Sequence, residues 1–128
     1  MTRELRQITC VEDDRDIRAV VEIVLGKVAG FDMQMCASGA EAVERAPSFN
    51  PDLILLDVMM PGMDGRETFR HLKQHPSLMR TPVVFMTAKA QVHEVAGYKE
   101  LGAVDVVTKP FDPISLPETL RAIWARCR

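Results

Sequence analysis

Asp57 ends a run of four aliphatic residues, Leu53-Ile54-Leu55-Leu56, and is followed by Val58-Met59-Met60. A carboxylate in so apolar a stretch is costly to bury without a partner, so a purely structural role for it is poorly motivated. Glu12-Asp13-Asp14 follows the apolar Ile8-Thr9-Cys10-Val11, Thr87 follows Val83-Val84-Phe85-Met86, and Lys109 follows the segment from Val104 to Thr108. Singly, each has an ordinary explanation. An Asp or Thr in such a place is often a turn former or a helix cap. Lys109 alone reads as a solvated lysine, and Glu12-Asp13-Asp14 as a complement to a helix dipole. Together they form a different set: several carboxylates, a hydroxyl and an amine. Clustered carboxylates repel one another unless a cation sits among them, and an all-oxygen donor set suits Mg²⁺. That is the equipment of phosphoryl transfer. Asp57 would be the nucleophile, and Asp13, Asp57 and the main-chain carbonyl of Met59 would hold Mg²⁺. Glu12 would act from the outer shell through water. Thr87 and Lys109 would bind the phosphoryl oxygens as charge spreads over them.

For these residues to meet, the elements before them must end at one edge. Ile8–Val11 reads as a strand. Ile17, Val20, Val21, Val24, Leu25 and Val28 then recur at helical spacing, with Gly30 just past the end. Phe31 to Ala37 reads as a second strand. Ser38-Gly39-Ala40-Glu41 fits a capping box opening a short helix that stops near Pro47. Leu53–Leu56 is apolar on both faces, as in a central parallel strand covered by helices. The loop from Pro61 to Gly65 leads to a helix carrying Phe69 and Leu72 and ending before Pro76. Val83–Met86 is the fourth strand. A helix lined by Val92, Val95, Ala96 and Tyr98 closes at Leu101-Gly102, and Val104–Thr108 is the fifth strand. The last helix carries Leu116, Leu120, Ile123 and Cys127 on one face. Its expected start is Ser115, through a second capping box with Glu118. Strand and helix alternate five times, which predicts an α/β sandwich with a parallel sheet and right-handed crossovers. In such sheets ligands bind beyond the carboxyl ends of the strands, where strand order reverses.

The totals agree. A chain of 128 residues is expected to form one domain, 1–128, with 47% hydrophobic and 27% charged residues and a net charge of −2. No Lys/Arg run supplies a nucleic-acid footprint. Cys10, Cys36 and Cys127 are too scattered for a zinc site or a disulfide framework. No segment has the apolar length of a membrane span or the pattern of a signal peptide, so a soluble cytoplasmic protein is expected.

With these residues in view the chain resembles the response-regulator receiver domain, the CheY-like family of two-component signalling, over essentially its whole length. The pieces that carry the resemblance are Val11-Glu12-Asp13-Asp14, the run from Leu56-Asp57 through Val58-Met59-Met60-Pro61-Gly62-Met63-Asp64-Gly65, Met86-Thr87-Ala88, and Thr108-Lys109-Pro110-Phe111. The resemblance implies a flavodoxin-like (βα)5 three-layer sandwich with strand order 2-1-3-4-5. It also implies a cis bond between Lys109 and Pro110. It implies a bacterial phospho-acceptor switch rather than an enzyme with an outside substrate. Asp57 would be phosphorylated by a histidine kinase or a histidine phosphotransfer protein, Asp13 would bind Mg²⁺, and Thr87 and Lys109 would respond. The signal would pass to a downstream target or effector domain around the fourth helix, fifth strand and fifth helix. Direct nucleic-acid and membrane contact are not expected, and a phosphorylation-dependent homodimer is left open.

Two residues depart from the family pattern. Glu12 stands where many members have Asp, and Val106 where many carry Tyr or Phe. A Val cannot make the inward rotation of a ring. Met59 and Lys89, two positions after Asp57 and Thr87, would tune how long the phosphate lasts. Two rival functions are weighed. A haloacid-dehalogenase-type phosphohydrolase would need a second Asp where Met59 stands. A receiver-fold interaction module without phosphorylation would be marked by loss of Asp13, Asp57 or Lys109, and all are present. His71 and His75 have helical i,i+4 spacing but no third ligand, and His93-Glu94 lacks a second His. Arg121, Arg126 and Arg128 read as solvent-facing.

Overall fold

The computed structural model describes residues 3–60, 62–88 and 91–127. Five parallel strands form one sheet: β1 (Gln7–Val11), β2 (Asp32–Cys36), β3 (Leu53–Asp57), β4 (Val83–Thr87) and β5 (Asp105–Thr108). Their order is β2-β1-β3-β4-β5, as the resemblance implies. The helices are α1 (Arg15–Val21), α2 (Gly39–Phe49), α3 (Gly65–Gln74), α4 (Val92–Leu101) and α5 (Leu116–Arg126), with a 3₁₀ turn over Pro76–Leu78. Among the described residues none of these helices is long and apolar enough to cross a membrane.

The strand period of two splits the core between the two faces of the sheet. Ile8, Cys10, Leu53, Leu55, Val84, Met86 and Val107 pack with Val21, Leu25, Leu116, Leu120 and Ile123 on the α1/α5 side. Val11, Ile54, Leu56, Val83 and Phe85 pack with Ala42, Ala46, Phe69, Leu72 and Tyr98 on the side of α2, α3 and α4. All five residues of β3 and of β4 are buried, which explains their continuous apolar runs.

Several local expectations are corrected. α1 runs directly into a π-helical stretch, Glu22–Val28, in which the Ala29 amide donates to the Val24 carbonyl at 3.1 Å. The wider turn shifts the phase of the apolar stripe. Val28 is therefore 76% exposed, while Ala29 packs against the core instead; Val20, in α1 before the wider turn, is exposed as well. α2 continues through Pro47 to Phe49 and ends at Asn50 in the left-handed region (φ 54°). Pro47 lies near the helix end, where the cost is one missing amide donor. Ser38 caps α2 by accepting from the Glu41 amide at 3.1 Å, but Glu41 returns to the amide of Ala37 rather than of Ser38. In α4 only Tyr98 is buried, whereas Val92 and Ala96 face solvent. α5 begins after Ser115 as expected, but the second capping box does not form. The Ser115 hydroxyl donates to the Asp112 carbonyl and Glu118 pairs with Arg121. Trp124, not Cys127, continues the buried face of α5.

Candidate functional site: an acidic pocket at the carboxyl edge of the sheet

The sheet delivers the expected residues to one place. Glu12 and Lys109 lie one residue beyond the ends of β1 and β5, while Asp57 and Thr87 are the last residues of β3 and β4. By strand alternation Glu12, Asp57 and Lys109 extend the rows of Cys10, Leu55 and Val107 on the α1/α5 side, and Thr87 extends the row of Phe85 on the other. The contacts agree. The Lys109 ammonium lies 2.8 Å from Glu12 Oε1 and 3.2 Å from Asp57 Oδ2. Thr87 is fully buried, and its carbonyl accepts from the Lys109 amide at 2.9 Å. The peptide bond between Lys109 and Pro110 is cis.

Of the three consecutive acids, each does something different. Asp14 caps α1, its Oδ1 accepting from the Asp16 and Ile17 amides at 2.9 and 3.1 Å, so the bland reading holds for that residue. Glu12 is fully buried, and its Oε2 accepts from the Asp14 amide at 3.0 Å. Asp13 is exposed, and ligand oxygens of Glu12, Asp13 and Asp57 all lie within 4.8 Å of one another. Asp57 is 1% exposed, and its Oδ1 accepts from the Met59 amide at 3.1 Å. The Met59 side chain points outward, at 55% exposure. Lys89 lies outside the described residues.

The charges strain against each other. Burial pushes Glu12 from the ordinary 4.5 up to about 7, with Lys109 and the Asp14 amide opposing the shift and Asp57 adding to it. Burial works against the Lys109 ammonium, but Glu12 and Asp57 outweigh it and hold its pKa above the usual lysine value. Glu12 Oε1 and Asp57 Oδ2 are buried with no directed hydrogen bond, although the lysine is close to both. One ammonium is thus shared by two buried carboxylates, with a third acid within reach of both. Two under-satisfied buried oxygens beside an exposed third acid, all hard donors, fit a small divalent cation such as Mg²⁺.

Two supporting roles escaped the sequence reading. Arg18 donates from Nη1 to the carbonyls of Glu12 and Asp13 at 2.8 and 2.9 Å, pinning the turn that carries both acids. Nothing in its charged helical surroundings distinguishes it from a solvated arginine. Gly65 closes the motif that begins at Leu56, but the motif does not give its packing: a Cβ there would lie 2.4 Å from Val58 Cα and 2.6 Å from the Asp57 carbonyl oxygen. Its amide donates to the Val58 carbonyl at 3.0 Å, so α3 starts against the backbone at the end of β3. Val106 is half-buried, in register with Phe85, and packs against the core on the α3/α4 side.

A doubly covered parallel sheet with a carboxylate pocket at its switch point defines a class of fold, and comparison with known proteins gives the family. Residues 8–121 match the response regulator receiver domain. The chain is 35% identical over 121 residues to the alkaline phosphatase synthesis transcriptional regulatory protein PhoP of Bacillus subtilis, covering 94% of this chain and 49% of that protein. It is 37% identical over 117 residues to the DNA-binding response regulator MtrA of Mycolicibacterium smegmatis, covering 91% and 50%. The chain thus spans about half the length of these curated relatives. Among solved structures it superposes on Vibrio cholerae chemotaxis protein CheY4 with a TM-score of 0.86 at 29% identity, covering 93% of this chain and 98% of that one. A putative response regulator from Chloroflexus aurantiacus gives 0.84 at 32% identity, covering 96% and 100%. The chain belongs to the response regulator receiver domain family.

Proposed function

We propose that this receiver domain takes a phosphoryl group on Asp57 in a Mg²⁺-dependent reaction and thereby switches a signalling output. The observation that carries the reading is the buried Asp57 carboxylate, held between the Met59 amide and Lys109 with Glu12 and Asp13 in reach.

An Asp57 oxygen attacks phosphorus in line with the leaving group. The donor's P–N bond breaks as the new O–P bond forms, and the donor histidine leaves with the electron pair. The Met59 amide fixes the carboxylate plane. Lys109, now shared by Glu12 and Asp57, follows the negative charge onto the phosphoryl oxygens, and the Thr87 hydroxyl donates to one of them. Asp13, Asp57 and the Met59 carbonyl would hold Mg²⁺, with Glu12 behind them. Its chemistry is to offset charge among the carboxylates and the incoming phosphoryl oxygens. The protein positions and neutralises, and it is a switch rather than an enzyme acting on outside substrates. The donor is a histidine kinase or phosphotransfer protein, as in two-component signalling in the cytoplasm. Relatives of twice the length are named as DNA-binding regulators. In a protein so built, the signal would pass to an effector domain.

The test is intact mass after incubation with acetyl phosphate and Mg²⁺. Wild type gains about 80 daltons, one phosphoryl group, while Asp57→Asn gains nothing and chelation of the metal slows the wild-type gain. Equal gain by Asp57→Asn overturns the assignment.

A further inference from the structure

α4 is held to the core by one side chain. Of its ten residues only Tyr98 is buried, at 4% exposure. The Tyr98 ring meets Phe85 of β4 edge to face, with centroids 5.6 Å apart at 61°, and Phe85 meets Phe69 of α3 at 5.5 Å and 82°. Arg66 of α3 lies over the Tyr98 ring, 5.6 Å from its centroid. The far end of α4 is fitted to the same aromatic group, since a Cβ on Gly102 would come within 2.8 Å of the Phe69 ring.

Both grips on Tyr98 are rooted at the reactive pocket. Phe85 lies two residues before Thr87 on β4 and therefore on the same face of the sheet. Arg66 follows Gly65, the residue that brings α3 against the Asp57 and Val58 backbone. A change at the end of β4 and a change in the turn after β3 thus converge on one ring. Val106 pairs with Phe85 in register, but it is short, branched and stiff at χ1, with no ring to swing.

We propose that Tyr98, clasped between Phe85 and Arg66, is the side chain through which the state of the Asp57 pocket reaches α4. Filling the pocket shifts the two contacts, the ring moves with them, and a helix with no other buried anchor follows at low cost. The proposal rests on the phospho-acceptor reading above. Tyr98 touches no reacting atom and is a positioning residue.

Tyr98 is the one tyrosine in the chain, so fluorotyrosine incorporation gives a single fluorine resonance from that ring. The resonance, α4 hydrogen exchange and intact mass are recorded together before and after acetyl phosphate and Mg²⁺. As the mass rises, the resonance is expected to move and α4 exchange to change by about threefold or more, a local change in opening. Tyr98→Phe keeps the α4 response. Tyr98→Leu gains the mass but loses that response, and Val106→Ala keeps both. A still resonance with unchanged α4 exchange, a full α4 response in Tyr98→Leu, or its loss in Val106→Ala overturns the proposal while the mass gain upholds the phospho-acceptor reading. No mass gain at all overturns that reading and the proposal with it. If Tyr98→Leu does not fold, the wild-type resonance decides.

Discussion

At the scale of the residue, the pocket is poised by competing charges, and Glu12 makes that measurable. Its folded pKa of about 7 lies above the ordinary 4.5. The folded protein therefore binds a proton at Glu12 that the unfolded chain releases, and stability falls as pH rises from about 4.5 to 7. Lys109 is shifted upward from 10.5, so its contribution is intact throughout that window. Urea unfolding without divalent metal should show wild type losing about 1–3 kcal/mol between pH 5 and pH 8, the order expected for a shift of this size. Glu12→Gln should be flatter over the same range, and an equal slope in both proteins would count against the buried-carboxylate account. Mg²⁺ should raise the unfolding midpoint more at pH 8 than at pH 5, because a carboxylate must be ionised to gain from a cation.

At the scale of the element, the site depends on how closely α3 approaches β3. Gly65→Ala forces a Cβ into the Val58 and Asp57 backbone. It should cost about 1–3 kcal/mol and slow the mass gain at Asp57, since the turn carrying Met59 must shift. Gly97 in α4 is the contrast, with nothing within 4 Å of an added Cβ. Gly97→Ala should stabilise by about 0.5–1 kcal/mol, the helix-propensity difference. Chemical denaturation of the two variants checks both signs. The elements also show how far sequence periodicity reaches. β3 and β4 were legible because strands buried on both faces must be apolar throughout. The π-helical stretch after α1 was not, because a period of 3.6 was assumed; it placed Leu25 correctly but put Val28, rather than Ala29, on the buried side. α4 was misjudged for a related reason: Val92 and Ala96 have the right types for a buried face, but only Tyr98 is long enough and placed to reach the core.

For the whole molecule, the two edges of the sheet divide the work. The carboxyl edge carries the under-satisfied charges. The opposite edge holds Asp52, buried and fully engaged, accepting from the Arg6 and Gln7 amides at 3.0 Å each and pairing with Arg3 at 3.0 Å. Asp52→Ala leaves two amides without their acceptor and should cost about 1–3 kcal/mol, with the rate of mass gain at Asp57 unchanged. A slowed rate in a folded variant would show that the edges are not independent. By itself the sequence determined the strand-and-helix alternation, the order of the chemistry-bearing residues and their convergence on one edge, because hydrophobic period and strand-end position are local properties. Only the tertiary structure decided which acid caps a helix and which is buried, that Lys109 is shared between Glu12 and Asp57, and that Arg18 and Gly65 support the pocket. It also decided that Tyr98 lies between Phe85 and Arg66. Those outcomes depend on distances between segments far apart in the chain, and no spacing along a single strand or helix encodes them.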